Sequence, residues 1–278
     1  MIGFVIPDIT NNFFAHLCLE VEKSALKLGY SIFLCNSMND GNLESIYLEK
    51  LVERQVDGVI LAGGRINQTT TNPLYVLEMK RTLSHLPVVM INGKMDGMKG
   101  YRISSDEYGA VTKMTQYLTN LGHKRIGIIG GLSGITSFDI KKKSFLQAAK
   151  EMNFITKDQW IVEGKYSIEG GIQSMNQLLQ NTELPSAIIA INDLVAIGAV
   201  KVCDQHGIKI PKDLSIIGFD NIDLAKDITP ALTTINHQYE EIGRRAVQTI
   251  HELVNGVVPE GDIVLDTELI IRDSCMKT

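Results

Sequence analysis

The sequence lacks any run of 18 consecutive apolar residues, so no membrane span is expected. It also lacks a basic excess. The net charge of −5 leaves nothing in the total that could hold a nucleic-acid backbone. The dinucleotide fingerprint G-x-G-x-x-G does not occur, and "IGIIGGLSG" carries Gly127, Gly130, Gly131 and Gly134 at the wrong spacing. The phosphate loop G-x-x-x-x-G-K-[ST] and the nucleophile elbow G-x-S-x-G are missing as well. "HELVN" at 251–255 starts like a zinc-protease helix but has no second histidine, so no metal site is expected. Carboxylates are plentiful, but nothing in their spacing assembles a glycosidase pair. No catalytic residue and no cofactor is expected, and an enzymatic reading has no constellation to support it.

The four cysteines, Cys18, Cys35, Cys203 and Cys275, form no C-x-x-C pair. The first three read as small buried hydrophobes in a reducing cytoplasm rather than as disulfide partners. The chain opens directly on a strand, with no charged n-region, long apolar stretch or small-residue cleavage site. A signal peptide is therefore not expected, and the abrupt start suggests trimming. His123, in "LGHKRI", falls at a helix-to-strand turn where a structural role is expected.

What is present is a regular alternation. Short β-branched runs occur at 2–6, 31–35, 57–61, 87–91, 101–104, 125–130, 159–163, 186–191 and 214–219. Between them lie segments of helical period, such as 13–28, where Phe14, Leu17, Val21, Ala25 and Leu28 recur at three- and four-residue steps. "KLGY" and "NLGH" each put a glycine where a helix should stop. Strands alternating with helices predict parallel sheets covered on both faces. "IGFVIPD" near residue 2 echoes "IGIIGGL" near residue 126, and 278 residues suffice for two doubly wound α/β lobes.

In such sheets ligands bind beyond the carboxyl ends of the strands. Polar residues collect there: Asp8 after the first run, Ser133 and Ser137 after "RIGIIG", Asn192 and Asp193 after "SAIIAI", and Asp220 after "LSIIGF". One such residue is a helix cap; several at one end of the sheets predict a pocket for a polar small molecule.

"LGHKRIGIIGG" (121–131), "AINDLVAIGAV" (190–200), "GIKIPKDLSIIGFDN" (207–221) and "PALTTINHQYEEIGRRA" (230–246) resemble the effector-binding domain of LacI/GalR-family transcriptional regulators. "IGFVIPDITNNFFAHL" and "VDGVILAG" (56–63) match the same family, so the resemblance spans the chain in order. It implies a periplasmic binding protein type I-like fold of two lobes, with three crossings expected near 100–104, 232–237 and 258–263. The expected lobes are 1–101 plus 236–260 and 102–235 plus 261–278. It also implies a cytoplasmic homodimer, its face using helices 42–54 and 73–82, and an allosteric response to a small-molecule effector bound between the lobes. The family's helix-turn-helix domain precedes the first strand and is expected to be absent from this chain, so operator DNA would be reached only through that part.

The resemblance assigns Asp8, Asn12, Phe13 and Phe14 to the loop that lines the cleft from lobe one, with Phe13 as the better stacking aromatic because Phe14 lies on the apolar stripe. From the other lobe it assigns Tyr166, Asn192 and Asp220, with Ser137 beside them. Asp193 is expected to cap the following helix. His237 falls at the third crossing, with Tyr239 near it. Two positions depart from the family pattern. Lys141 stands where an arginine is common, with Asp139 and Lys142 as alternatives if the register shifts. Asn92 stands where an aspartate is common. A pentose or hexose is expected ahead of a phosphorylated or carboxylated ligand. The rival reading is a transporter's sugar-binding protein of the same fold, against which the missing signal peptide and "LTTINHQYEEIG" both weigh.

Overall fold

The computed structural model describes residues 1–278 apart from 85, 96 and 99. In chain order the elements begin β1 Ile2–Ile6, α1 Asn12–Lys27, β2 Ile32–Asn36, α2 Gly41–Glu53, β3 Gly58–Ala62, α3 Pro73–Thr82, β4 Val88–Ile91 and β5 Tyr101–Ser105. They continue with α4 Glu107–Asn120, β6 Ile126–Ile129, α5 Thr136–Glu151, β7 Ile161–Val162, α6 Ile168–Leu178, β8 Ala187–Ala190, α7 Asp193–Gln205 and β9 Ser215–Ile217. The last are α8 Asp223–Asp227, β10 Thr234–Asn236, α9 Tyr239–Val254, β11 Ile263–Leu265 and β12 Glu268–Ile270.

The chain forms two compact units, 1–105 with 238–265 and 106–237 with 266–278. Against the expected lobe boundaries, 102–105 and 261–265 belong to the first unit and 236–237 to the second. The reason is pairing: β11 lies beside β5 in one parallel ladder, with Val264 opposite Ser104. β10 pairs instead with β12 of the second unit.

The first unit is a six-stranded parallel sheet in the order β11-β5-β4-β3-β1-β2. β1 and β3 read as unbroken apolar runs because both faces are covered, and every residue of each is buried. One face packs on α1 and α9 through Phe4, Ile6, Leu17, Val21, Val247 and Ile250. The other packs on α2 and α3 through Val5, Leu48, Leu51, Val59, Leu61 and Met79.

The second unit holds a four-stranded parallel sheet, β7-β6-β8-β9, and the antiparallel pair β10-β12. β6 sits between β7 and β8 as β1 sits between β2 and β3. The echo between "IGFVIPD" and "IGIIGGL" thus marks equivalent strands. In each sheet the chain leaves this strand first to one side and then to the other. The loops after β1 and β3, and after β6 and β8, therefore flank a topological switch point, where a crevice opens at the strand ends.

The nine expected strands are present, the seventh reduced to the two residues of β7 behind a 3₁₀ turn at Asp158–Trp160. The helix expected at 13–28 spans Asn12–Lys27, and Gly29 and Gly122 after α1 and α4 both take positive φ. His123 is structural as expected. It is buried, with Nδ1 3.0 Å from Ser186 Oγ and Nε2 3.1 Å from the Met276 carbonyl, and burial lowers its pKa. All four cysteines are free; Cys35, Cys203 and Cys275 are buried and Cys18 is half-buried.

α6 and α7 approach so closely that backbone meets backbone. A Cβ on Gly198 would lie 2.2 Å from the Ile168 carbonyl oxygen and 2.9 Å from Gly171 Cα. In an open helix, Gly to Ala stabilises by roughly 1 kcal/mol. Here overpacking reverses the sign. Gly198→Ala is expected to lower unfolding stability by about 1–3 kcal/mol in urea melts.

In the first unit, Arg65 lies buried under α2 and α3. Its guanidinium stacks 3.9 Å above the Tyr75 ring and donates to Glu78 at 3.4 Å, to the Gly41 carbonyl and to Ser45 Oγ. Glu44 faces it, with Oε1 3.7 Å from Nε and Oε2 accepting from the Arg65 amide at 3.4 Å. Burial pushes the Glu44 carboxyl from 4.5 up to about 7, although Arg65 acts against the rise. Between these values the unfolded chain has released its proton and the folded protein has not. Stability should therefore fall as pH rises through that window. Glu44→Gln is expected to lose this component, so the wild type should lose up to about 3 kcal/mol more than the variant between pH 4.5 and 7.5 in urea titrations.

Candidate functional site

In the second unit the site grows from the loops after β6, β8 and β9. α5 starts after the β6 loop and carries Ser137 and Lys141 four residues apart, on one helical face. Lys141 is buried. Its Nζ is 3.3 Å from Glu107 Oε1, donates to the Ile191 carbonyl at 3.3 Å and sits 3.6 Å above the Phe219 ring. Ser137 Oγ donates to the same Glu107 oxygen at 2.7 Å. Glu107 is the first residue of α4, behind the cap Asp106. The neighbouring alternatives are differently engaged. Asp139 accepts from the Gly134 amide at 3.2 Å, and Lys142 pairs with Glu163 at 3.7 Å.

Asp220 follows Phe219 at the end of β9 with φ of +106°, a conformation an L-residue adopts only when its surroundings impose it. Three contacts impose it. The Asp220 amide donates to the Ile235 carbonyl at 2.9 Å, and His237 Nε2 lies 3.2 Å from Asp220 Oδ1. The next turn is anchored by Asp193, whose Oδ2 accepts from the Ile222 amide at 2.9 Å and whose Oδ1 accepts from Thr234 Oγ1 at 2.6 Å. Arg272 closes the loop by donating to Asn221 Oδ1 at 2.6 Å and to the Leu232 carbonyl at 2.7 Å. Asp193 is fully buried, and burial with the Asp220 charge raises its pKa well above the ordinary value, against its two hydrogen bonds and Arg272.

The expected cap is therefore reassigned. Asn192, not Asp193, caps α7: its Oδ1 accepts from the Val195 amide at 2.9 Å, while Nδ2 donates to the Tyr166 carbonyl at 3.4 Å. Asp193 is the first helical residue and points back to the β9 loop. Tyr166 packs against the core of this unit. Its buried Oη lies near the Leu132 backbone without a hydrogen-bond partner among the described residues. Burial, followed by the charges of Glu107, Asp139 and Asp220, raises its pKa.

In the first unit, Asn11 caps α1 by accepting from the Phe13 amide at 3.0 Å, and Asn12 opens the helix. Asp8 Oδ1 accepts from the amide and hydroxyl of Thr10 at 2.9 and 2.6 Å. Phe13 packs edge-on to Phe14 at 5.1 Å and against Tyr239 at 5.6 Å. Asn92 takes φ of +60° after β4, and its Oδ1 accepts from the Ser105 amide at 2.9 Å. Its oxygen ties the ends of β4 and β5 together. The structure thus gathers Ser137, Lys141, Tyr166, Asn192, Asp220 and His237 into one connected set, and Asp8, Asn12 and Phe13 into one turn, with Asn92 at a separate strand end.

Glu107 and the anchoring role of Asp193 were not read from the sequence. Glu107 directly follows the "YRISSD" strand end, and this position beyond a strand's carboxyl end was the available signal. No group of three potential metal ligands occurs among the described residues.

Residues 115–275 match the family model of the periplasmic binding protein-like domain. The chain is 32% identical over 98% of its length, and 80% of the relative's, to the HTH-type transcriptional repressor PurR of Pasteurella multocida. It superposes on a LacI-family transcriptional regulator from Enterococcus faecium with bound ribose at TM-score 0.87 and 26% identity, covering 100% and 99% of the two chains. A periplasmic binding protein/LacI transcriptional regulator from Alkaliphilus metalliredigens complexed with D-xylulofuranose gives TM-score 0.85 at 26% identity, covering 99% and 98%.

The two cap-region residues of α7 should separate in a melt. Asn192→Ala removes an N-cap and is expected to cost about 1 kcal/mol. Asp193→Ala strips two buried donors of their acceptor and is expected to cost about 3 kcal/mol or more. Equal costs in urea denaturation would contradict this division of roles. Periodicity, order of motifs, sheet topology and these relatives agree: the chain belongs to the LacI/GalR family of transcriptional regulators, as its periplasmic-binding-protein-like effector-binding domain.

Proposed function

We propose that this domain senses a sugar, a pentose or hexose, and that the loops after β6, β8 and β9 supply the ligand-binding residues of the second unit. The observation that carries this reading is Asp220. It is a carboxylate held in a left-handed turn at a strand's carboxyl end, braced by His237 and by the Asp193 anchor. An ionised carboxylate accepts from two neighbouring hydroxyls, which is the demand a sugar perimeter makes. Lys141, Ser137, Asn192 and the phenol of Tyr166, on the same unit's loops and helix starts, add further polar atoms. The first unit offers Asp8 and Asn12 in the turn that carries the half-buried ring of Phe13, an aromatic face suited to the apolar side of a sugar, and Asn92 at another strand end. The ribose and D-xylulofuranose in two structural relatives support the same class of ligand.

In the intact regulator, effector binding would shift the population of conformers and so alter operator affinity in a homodimer acting within the cytoplasm. The coupling is reciprocal, and operator would change effector affinity by the same factor. The relatives are repressors rather than enzymes, in keeping with a binding role.

A thermal-shift screen against free pentoses and hexoses tests the reading. One sugar at a hundred times its Kd should stabilise the protein by about 2.7 kcal/mol, and Asp220→Ala should abolish the shift. No response to any sugar would sink it.

A further inference from the structure

The geometry points to Glu107 as the residue that sets the charge of the ligand this unit accepts, restricting it to uncharged molecules. The inference rests on the second unit's loops being the ligand face, as proposed above, and adds that phosphorylated or carboxylated ligands are refused. A buried lysine at a ligand site ordinarily invites an anion. Lys141 is already matched: Glu107 lies 3.3 Å from its Nζ, the Ile191 carbonyl takes a hydrogen bond, and the Phe219 ring covers a further side. Both charged side chains are more than nine-tenths buried.

An incoming phosphate could reach Lys141 only by separating this pair. Glu107 would then be left as a buried charge without its partner, which is among the costliest arrangements a protein can hold. The remaining charges do not help the anion. Asp220 and Asp139 lie close enough for both to act on the Tyr166 phenol together with Glu107. The neighbouring Lys142 is turned to Glu163. Hydroxyl groups meet no such barrier, since they can donate to the carboxylates of Glu107 and Asp220 and to the free lone pair of Ser137 Oγ, whose own proton goes to Glu107, without parting any ions. The arrangement is specific to this pair of side chains. With glutamine at 107 the cation would stand uncompensated, and the same group of side chains would favour an anion.

The test uses calorimetric titration of the intact domain with inorganic phosphate, D-ribose and D-ribose 5-phosphate. The proteins are wild type, Glu107→Asp, Glu107→Gln and Glu107→Gln combined with Lys141→Met. Glu107→Gln should raise the affinity for inorganic phosphate by about tenfold, the scale of one charge-assisted hydrogen bond. Adding Lys141→Met should remove that gain, and Glu107→Asp, which keeps the charge, should behave as wild type. The assignment is overturned by an unchanged phosphate affinity in Glu107→Gln or by a gain that survives Lys141→Met. It is also overturned by wild-type protein that prefers D-ribose 5-phosphate to D-ribose, a measurement that needs no variant to fold. If no sugar binds but the phosphate series behaves as described, the sugar reading fails and the role of Glu107 stands.

Discussion

A fully buried carboxylate needs donors, and the two that Asp193 has found organise the candidate site. Its oxygens hold the Ile222 amide and the Thr234 hydroxyl, so one side chain at the start of α7 joins the loop after β9 to β10. Between those two tethers the chain has little freedom, and Asp220 takes a backbone conformation it would otherwise avoid. The position of Asp220, itself buried, is thus decided by a carboxyl group buried more deeply still. The close contact of α6 with α7 at Gly198 and Gly171 works in the same direction, because it holds the helix that carries the anchor.

The two units solve one problem twice. A parallel sheet covered on both faces leaves its polar business to the loops, and the strand that divides the sheet sends two of those loops apart. β1 and β6 occupy that place in the two sheets. They differ in the loops they feed. The turn after β1 is occupied with itself, Asp8 with Thr10 and Asn11 with the start of α1. The loop after β6 leads to a helix whose buried lysine reaches toward the ends of β8 and β9. At these strand ends the second unit therefore carries a buried ion pair, Lys141 with Glu107, whereas the first carries the ring of Phe13 beside Phe14 and Tyr239.

Much of this was legible in the sequence. Nine apolar runs became strands within a residue or two, because a parallel strand buried on both faces has no alternation to confuse. The strands that escaped notice, β10, β11 and β12, have three residues each, and β11 and β12 include exposed positions such as Val264, so no run announces them. Their pairing moved the unit boundaries. The residues of the site were found by place, at strand ends, and by family pattern. Their partners were not. Asn192 and Asp193 are adjacent and both suit a cap, and only the fold reveals which one faces its own helix and which reaches the β9 loop. Glu107 and Lys141 are 34 positions apart, and no local rule joins them.

The first unit is not finished by the segment that starts it. Residues 1–105 supply five of its six strands, but α9, which covers one face, and β11, which closes one edge, come from 238–265. On the ribosome, that nascent sheet waits for more than 130 intervening residues with Phe4, Ile60 and Val89 lacking part of their cover and β5 lacking its outer neighbour. The chain consequently depends on a late segment for the integrity of its first third, and premature termination near residue 237 would release a product with an open edge and an uncovered apolar face, a substrate for chaperones and proteases.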